Sequence, residues 1–145
     1  MYLLDTNVIS LLDERRQSQA PQFIDWLERN GAVLFLSVMT VAEMEAGILK
    51  LRRENKTARA DELAALQASI LADFGDRVLP VDTATALHVA QLAESARPTV
   101  VDTIDLIIAA TARRHGLIVL TRNVRHFLPT GVLTIDPVAD LPPDA

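Results

Sequence analysis

Five short apolar runs, each continuous rather than alternating, are separated by longer segments of helical period, and no other feature constrains this chain as much. The runs are Tyr2-Leu3-Leu4, Val33-Leu34-Phe35-Leu36, Val78-Leu79-Pro80-Val81, Leu117-Ile118-Val119-Leu120 and Val132-Leu133-Thr134-Ile135. Strands apolar at successive positions belong to parallel sheets covered on both faces. Pro80 cannot donate to a ladder, which predicts an edge position for the third run. Between the runs, Val41, Met44, Ile48 and Leu51 recur at helical spacing, as do Leu63, Leu66, Ile70 and Phe74. Phe23, Ile24 and Leu27 predict a shorter helix, and Thr85 to Ala96 an Ala-rich one. Ile104 to Ala112 is apolar nearly all round, which predicts the most buried helix, with Gly116 as its C-cap. The expectation is an α/β fold: an open, mainly parallel five-stranded sheet with helices on both faces and right-handed crossovers. Its 145 residues suit one domain spanning residues 1–145.

Composition excludes several functions. The absence of cysteine removes disulfide scaffolds, thiolate metal sites and cysteine nucleophiles. A net charge of −5 is the wrong sign for holding nucleic acid mainly by phosphate neutralisation. One Trp, one Tyr and four Phe cannot build a base-stacking sheet. No apolar run approaches the ~20 residues of a membrane span, and the N-terminus meets Asp5 without a basic stretch, unlike a secretory signal. The chain reads as soluble, acidic and cytoplasmic, with no membrane partner.

Open α/β sheets bind ligands beyond the carboxyl ends of their strands. Asp5, Thr6 and Asn7 follow the first run; Ser37 follows the second and leads into the helix carrying Glu43. Asp102 and Asp105 open the buried helix, and Thr121, Arg122 and Asn123 follow the fourth run. Each has an ordinary structural role open to it. Asn7 or Thr6 suits a helix cap, as does Asn123. Thr40 to Glu43 matches a capping box, and Asp102 and Asp105 suit a helix N-terminus. Asp5 is harder to explain in this way, because an unpaired carboxylate near the core is costly. No lysine or arginine lies within four positions of Asp5, Asp102 or Asp105. Two carboxylates ~4 Å apart repel by about 4 kcal/mol at an effective dielectric near 20. A hard divalent cation removes that repulsion and brings phosphodiester chemistry to an acidic protein.

Leu3-Leu4-Asp5-Thr6-Asn7-Val8-Ile9-Ser10 resembles the opening of PIN-domain ribonucleases of the VapC type, the toxin halves of bacterial toxin–antitoxin pairs. Leu36-Ser37-Val38-Met39-Thr40-Val41-Ala42-Glu43 with Gly47 is similar to the family's second motif. Ile104-Asp105-Leu106-Ile107-Ile108-Ala109-Ala110-Thr111-Ala112 resembles the third, and Leu120-Thr121-Arg122-Asn123 the fourth. Val78 to Asp82 is similar to a stretch common between the second and third. The resemblance implies that Asp5, Glu43 and Asp105 hold Mg²⁺ or Mn²⁺, with Asn123 the fourth catalytic position. Many relatives carry Asp there, so Asn123 is a neutral ligand or water holder, and the number of ions stays open between one and two. Thr6 and Thr121 are implied to orient the carboxylates, and Asp102 is either an auxiliary acid or a cap. The implied reaction is in-line hydrolysis of RNA, leaving a 5′-phosphate and a 3′-hydroxyl.

The resemblance also implies a homodimer and a small antitoxin laid in an apolar groove. The helical pair from Met39 to Phe74 is the expected groove, with Met44, Ile48 and Leu51 partly exposed. Arg122 is read either as a substrate contact or as a structural ion-pair partner. Lys50, Arg52 and Arg53 read as an RNA contact or a solvated helix C-terminus. His88, His115 and His126 lack metal-ligand spacing and are assigned no catalytic role. A phosphate-receiver domain would need a lysine after a late strand, and none follows Lys56. Five scattered glycines build no phosphate-binding turn. Asn123 keeps one alternative in place: a catalytically degenerate module that binds an antitoxin or nucleic acid without cleavage.

Overall fold

In the computed structural model, which describes residues 1–145, five strands pair in parallel throughout. They are β1 (Tyr2–Leu4), β2 (Leu34–Ser37), β3 (Val78–Leu79), β4 (Ile118–Leu120) and β5 (Thr134–Ile135), in the order β3-β2-β1-β4-β5. The strand carrying Pro80 just beyond its end is an edge strand, as its missing N–H requires. Several apolar residues expected in strands lie outside them. Val33 sits in a 3-10 turn over Gly31–Val33, and the N–H of Leu117 is bonded back to the Ala112 carbonyl. Local closure of the preceding helix or turn has consumed the ladder hydrogen bonds there.

Seven helices connect the strands: α1 (Thr6–Ile9), α2 (Pro21–Asn30), α3 (Val38–Arg53), α4 (Thr57–Phe74), α5 (Thr83–Ala96), α6 (Thr103–His115) and α7 (Val124–Phe127). Successive strand side chains alternate faces, and β1 feeds both sides of the sheet. Tyr2 and Leu4 enter a core with Phe23, Trp26 and Leu27 of α2 and with Ile70 and Phe74 of α4. Leu3 enters the opposite core with Ile108 and Ala109 of α6, Leu92 of α5 and Phe127 of α7. The result is three layers, helix on sheet on helix. Six residues of α6, Leu106 and Ile108 to Ala112, are buried, and Gly116 ends the helix at φ +64°, where a side chain would be strained.

Helix α3 is capped by Ser37, whose hydroxyl accepts from Met39 N at 3.1 Å. The capping box expected at Thr40 does not form. Thr40 lies inside the helix and donates to the Leu4 carbonyl, which leaves Glu43 free of any capping duty. Starting the helix at the end of β2 therefore sends Glu43 towards the end of β1.

One ion pair ties the first connection to α4. Asp13 is buried, and the Arg59 guanidinium bonded to it holds its carboxyl below the usual range. Arg59 also bonds Glu62. Asp13→Ala is expected to cost about 2 kcal/mol, less than the ~3–5 kcal/mol of an abandoned buried charge because Glu62 remains. A depressed carboxyl stabilises fully above its unfolded value, 3.8 for Asp, and loses that stabilisation as pH falls from there through its lower folded value, so the loss should fade with acidification. Urea unfolding at pH 7 and pH 3 measures both.

Candidate active site

The chain passes from β1 outward to β2 and β3, then returns to β4 on the other side of β1. The crevice at such a reversal is where open α/β sheets bind ligands. Asp5 ends β1 there and Thr121 ends β4, and both are buried.

Asp5 is held on all sides. Its Oδ1 accepts from Thr6 N at 2.7 Å; its Oδ2 accepts from the Thr121 hydroxyl at 2.7 Å and from Asn7 Nδ2 at 3.0 Å. Asn7 Nδ2 also donates to Thr121 Oγ1 at 3.2 Å, and Asn7 Oδ1 accepts from Arg122 N at 3.0 Å. Asn123 N donates to the same Thr121 oxygen at 3.0 Å. Asn7 thus pins the ends of β1 and β4 together, a role that its reading as a helix cap missed. Asp5 itself occupies the N-cap of α1.

Thr6 extends the network sideways, its hydroxyl donating a short hydrogen bond to Glu43 Oε1. Asp105, in the first turn of α6, faces His126 of α7, with Oδ2 3.1 Å from Nδ1. Sequence reasoning set His126 aside for want of ligand spacing. The fold gives it a contact with an acid 21 residues earlier, a separation that no local pattern encodes. Asp102 is a cap, accepting from Ile104 N at 2.9 Å and Asp105 N at 3.4 Å. It remains exposed beside the other acids, so its charge is still felt there.

The electrostatics join the three acids. Burial pushes the Asp5 carboxyl up, against the hydrogen bonds from Thr121, Thr6 and Asn7. Burial also raises Glu43, opposed by Thr6, and the charges of Asp5, Asp105 and Asp102 raise it further. Asp105 is raised by burial and then by Asp5, with His126 acting the other way. None of the three is paired with a lysine or arginine. Arg122, on the connection after β4, is exposed and makes no ion pair, so its reading as a structural partner is not what the fold shows.

These acids share one rim but do not close into a cage: no three His, Asp or Glu side chains converge as a ready ion site. Each is drawn instead to its own donor, Asp5 to Thr121 and Asn7, Glu43 to Thr6 and Asp105 to His126, and mutual repulsion favours that spacing. Asn123 is exposed, and its side chain bonds to none of them. The donor set nonetheless fits a small hard dication in type and charge. It is oxygen-only and unneutralised, and Mg²⁺ keeps several waters rather than filling an all-protein cage.

An apolar groove opens beside Thr6 and Glu43. It has a volume of about 190 Å³, lined by Ile9, Met44, Ile48, Leu63 and Leu66 with Arg59 at one side. Of the three side chains expected to be partly exposed, Met44 and Leu51 are, whereas Ile48 is buried beneath α4. Leu51 does not line the groove.

A family model described as PIN domain matches residues 2–128. The chain is 35% identical to the toxin FitB of Neisseria gonorrhoeae, over 97% of this chain and 100% of that one. The solved FitAcB structure from that organism superposes with a TM-score of 0.80 at 34% identity, covering 94% of this chain and 98% of the other. A VapC ribonuclease, Y4jK of Sinorhizobium fredii, is 33% identical over 94% of this chain and 97% of its own length. A toxin–antitoxin complex from Klebsiella pneumoniae matches at 25% identity and TM-score 0.59, covering 94% of this chain and 98% of that one.

Proposed function

The chain belongs to the PIN-domain family, and from that premise we propose that it is a divalent-metal-dependent ribonuclease serving as the toxin of a toxin–antitoxin pair. One observation carries the reading: three carboxylates ranged along one rim at the sheet's reversal point, two of them raised by neighbouring acids' charge, with no lysine or arginine to neutralise them.

Asp5, Glu43 and Asp105 would hold Mg²⁺ or Mn²⁺, with Asn123 at the open side of the rim as a neutral ligand. Such an ion supplies an activated water at neutral pH and neutralises charge on the phosphoryl group. The chain's own contribution is position. Thr121 and Asn7 fix both the height and rotation of the Asp5 carboxylate, Thr6 holds Glu43, and His126 orients Asp105. In the hydrolysis, water oxygen bonds to phosphorus, the P–O3′ bond breaks, and the proton ends on O3′. The products carry a 5′-phosphate and a 3′-hydroxyl.

Cleavage of total cellular RNA, with product ends mapped, tests this. Wild type with Mg²⁺ should yield 5′-phosphate ends, and chelator or Glu43→Gln should suppress them. Intact RNA under all conditions would favour the degenerate binding module instead. Thr121→Val removes the hydroxyl that donates to Asp5 and accepts from Asn123 and Asn7. It should lower cleavage by roughly 10–100-fold, as loss of a carboxylate-orienting partner does.

The antitoxin, on this reading, lays an apolar segment in the groove between α3 and α4, close enough to Glu43 to obstruct the rim. Support comes from the groove's apolar lining and from the complexed state of the Klebsiella relative. Met44→Arg should then weaken antitoxin capture while sparing cleavage. A homodimer is the proposed assembly, tested by sedimentation. No helix is long and apolar enough to cross a membrane.

A further inference from the structure

A second cleft leaves the acidic rim on the side away from the apolar groove. It has a volume of about 270 Å³ and lies between the α5–α6 connection and α7, lined by Val100, Asp102, Asp105, Arg125, His126 and Pro129. Three features combine there. Arg125 makes neither an ion pair nor a side-chain hydrogen bond, a state it shares with Arg53, Arg113 and Arg122, but of these four it alone lines this cleft. His126 spends Nδ1 on Asp105 and leaves Nε2 free on a side chain 53% exposed. Val100 is 94% exposed, the most exposed large apolar side chain in the chain. A free guanidinium, a free imidazole nitrogen and an apolar wall thus adjoin a carboxylate of the rim.

We propose that this cleft is the subsite for the ribonucleotide next to the scissile phosphate. Arg125 takes its phosphate through a charge-assisted hydrogen bond, His126 Nε2 hydrogen-bonds the ribose or phosphate, and Val100 and Pro129 pack against the base. Asp102 and Asp105 in the same wall repel a phosphate placed deeper, which keeps the backbone at the Arg125 side. Arg122, also unpaired and exposed, lies three residues earlier on the connection after β4, outside the cleft itself. An acidic protein thereby offers a local track for a polyanion without changing its overall charge.

The proposal rests on the ribonuclease reading, and the test separates the two. Binding of a fluorescent single-stranded RNA is measured by anisotropy across a salt series with Glu43→Gln, which lies outside the cleft. Adding Arg125→Ala should weaken binding roughly tenfold and flatten the log–log salt slope by ~0.7, as expected when one phosphate fewer is neutralised. Arg125 is exposed, so the melting temperature should not move. Val100→Ser, at a position with no packing to lose, should redistribute the mapped cleavage sites of the otherwise wild-type protein. Unchanged affinity and slope, no RNA binding by Glu43→Gln, or an unaltered cleavage pattern would each overturn the subsite. Failure of wild type to cleave, with Arg125→Ala still weakening binding, would overturn the ribonuclease reading and reduce the cleft to an RNA contact, so the two failures are distinguishable.

Discussion

Asp105→Asn is expected to abolish RNA cleavage while leaving the native state as firm as before, or firmer. The carboxylate sits in the first turn of α6, half-buried, and is raised by burial and by the charge of Asp5. Its single hydrogen-bond partner is the exposed His126. Asparagine keeps the shape, can still meet Nδ1, and removes a charge that its surroundings disfavour. Removing a charged oxygen from the proposed donor set should cost more than the ~10–100-fold typical of residues that only orient such donors. The pairing of outcomes is diagnostic: lost activity with a retained or raised melting temperature marks a residue kept at the expense of stability. Retained cleavage would transfer the role to Asp102. Asp5→Asn is a poorer test, because its amide would confront donors from Asn7 and Thr121.

Millimolar Mg²⁺ should raise the melting temperature, and by more at neutral than at acidic pH. A ligand of the native state stabilises it by RT ln(1 + [L]/Kd), about 2.7 kcal/mol at a hundredfold excess over Kd. At this chain length that corresponds to roughly 5–10 °C. Asp5, Glu43 and Asp105 are all raised in the fold above ordinary values of 3.8 for Asp and 4.5 for Glu. Without an ion, then, the native state binds protons more readily than the unfolded chain. The penalty is fully present above the raised values and vanishes below the ordinary ones, so acidification through that window stabilises the apo protein. Protons and Mg²⁺ compete for the same oxygens, so the metal-induced shift should shrink as pH falls towards the raised values. A melting curve indifferent to Mg²⁺ at neutral pH would remove the metal site from the proposal.

The architecture was legible because it depends on patterns short enough to read along the chain. Continuous apolar runs marked the parallel strands, and Pro80 marked an edge. Gly116 marked a left-handed helix end, since its φ requires a residue without Cβ. Ends of elements were less legible. Thr40 and Glu43 have the spacing of a capping box, yet Ser37 captured the helix start because the strand delivered it there first. At the site, Asp5 was legible from its place after the first run, Glu43 from the helix that follows the second, and Asp105 from the start of the buried helix. Asn7 and His126 were not, since the one bridges to residues 114 and 115 positions away and the other meets an acid across two elements. Such pairings are products of the sheet order, which hydrophobic periodicity does not specify.

That sheet order has a consequence for synthesis. The first strand to leave the ribosome is the central one, and it is flanked on both sides only when residues 118–120 arrive. Asp5 has no Thr121 to orient it until then, and Asp105 has no His126. The held geometry of the rim is therefore a late product of the chain: whatever chemistry it supports needs residues more than a hundred positions apart to be in place together.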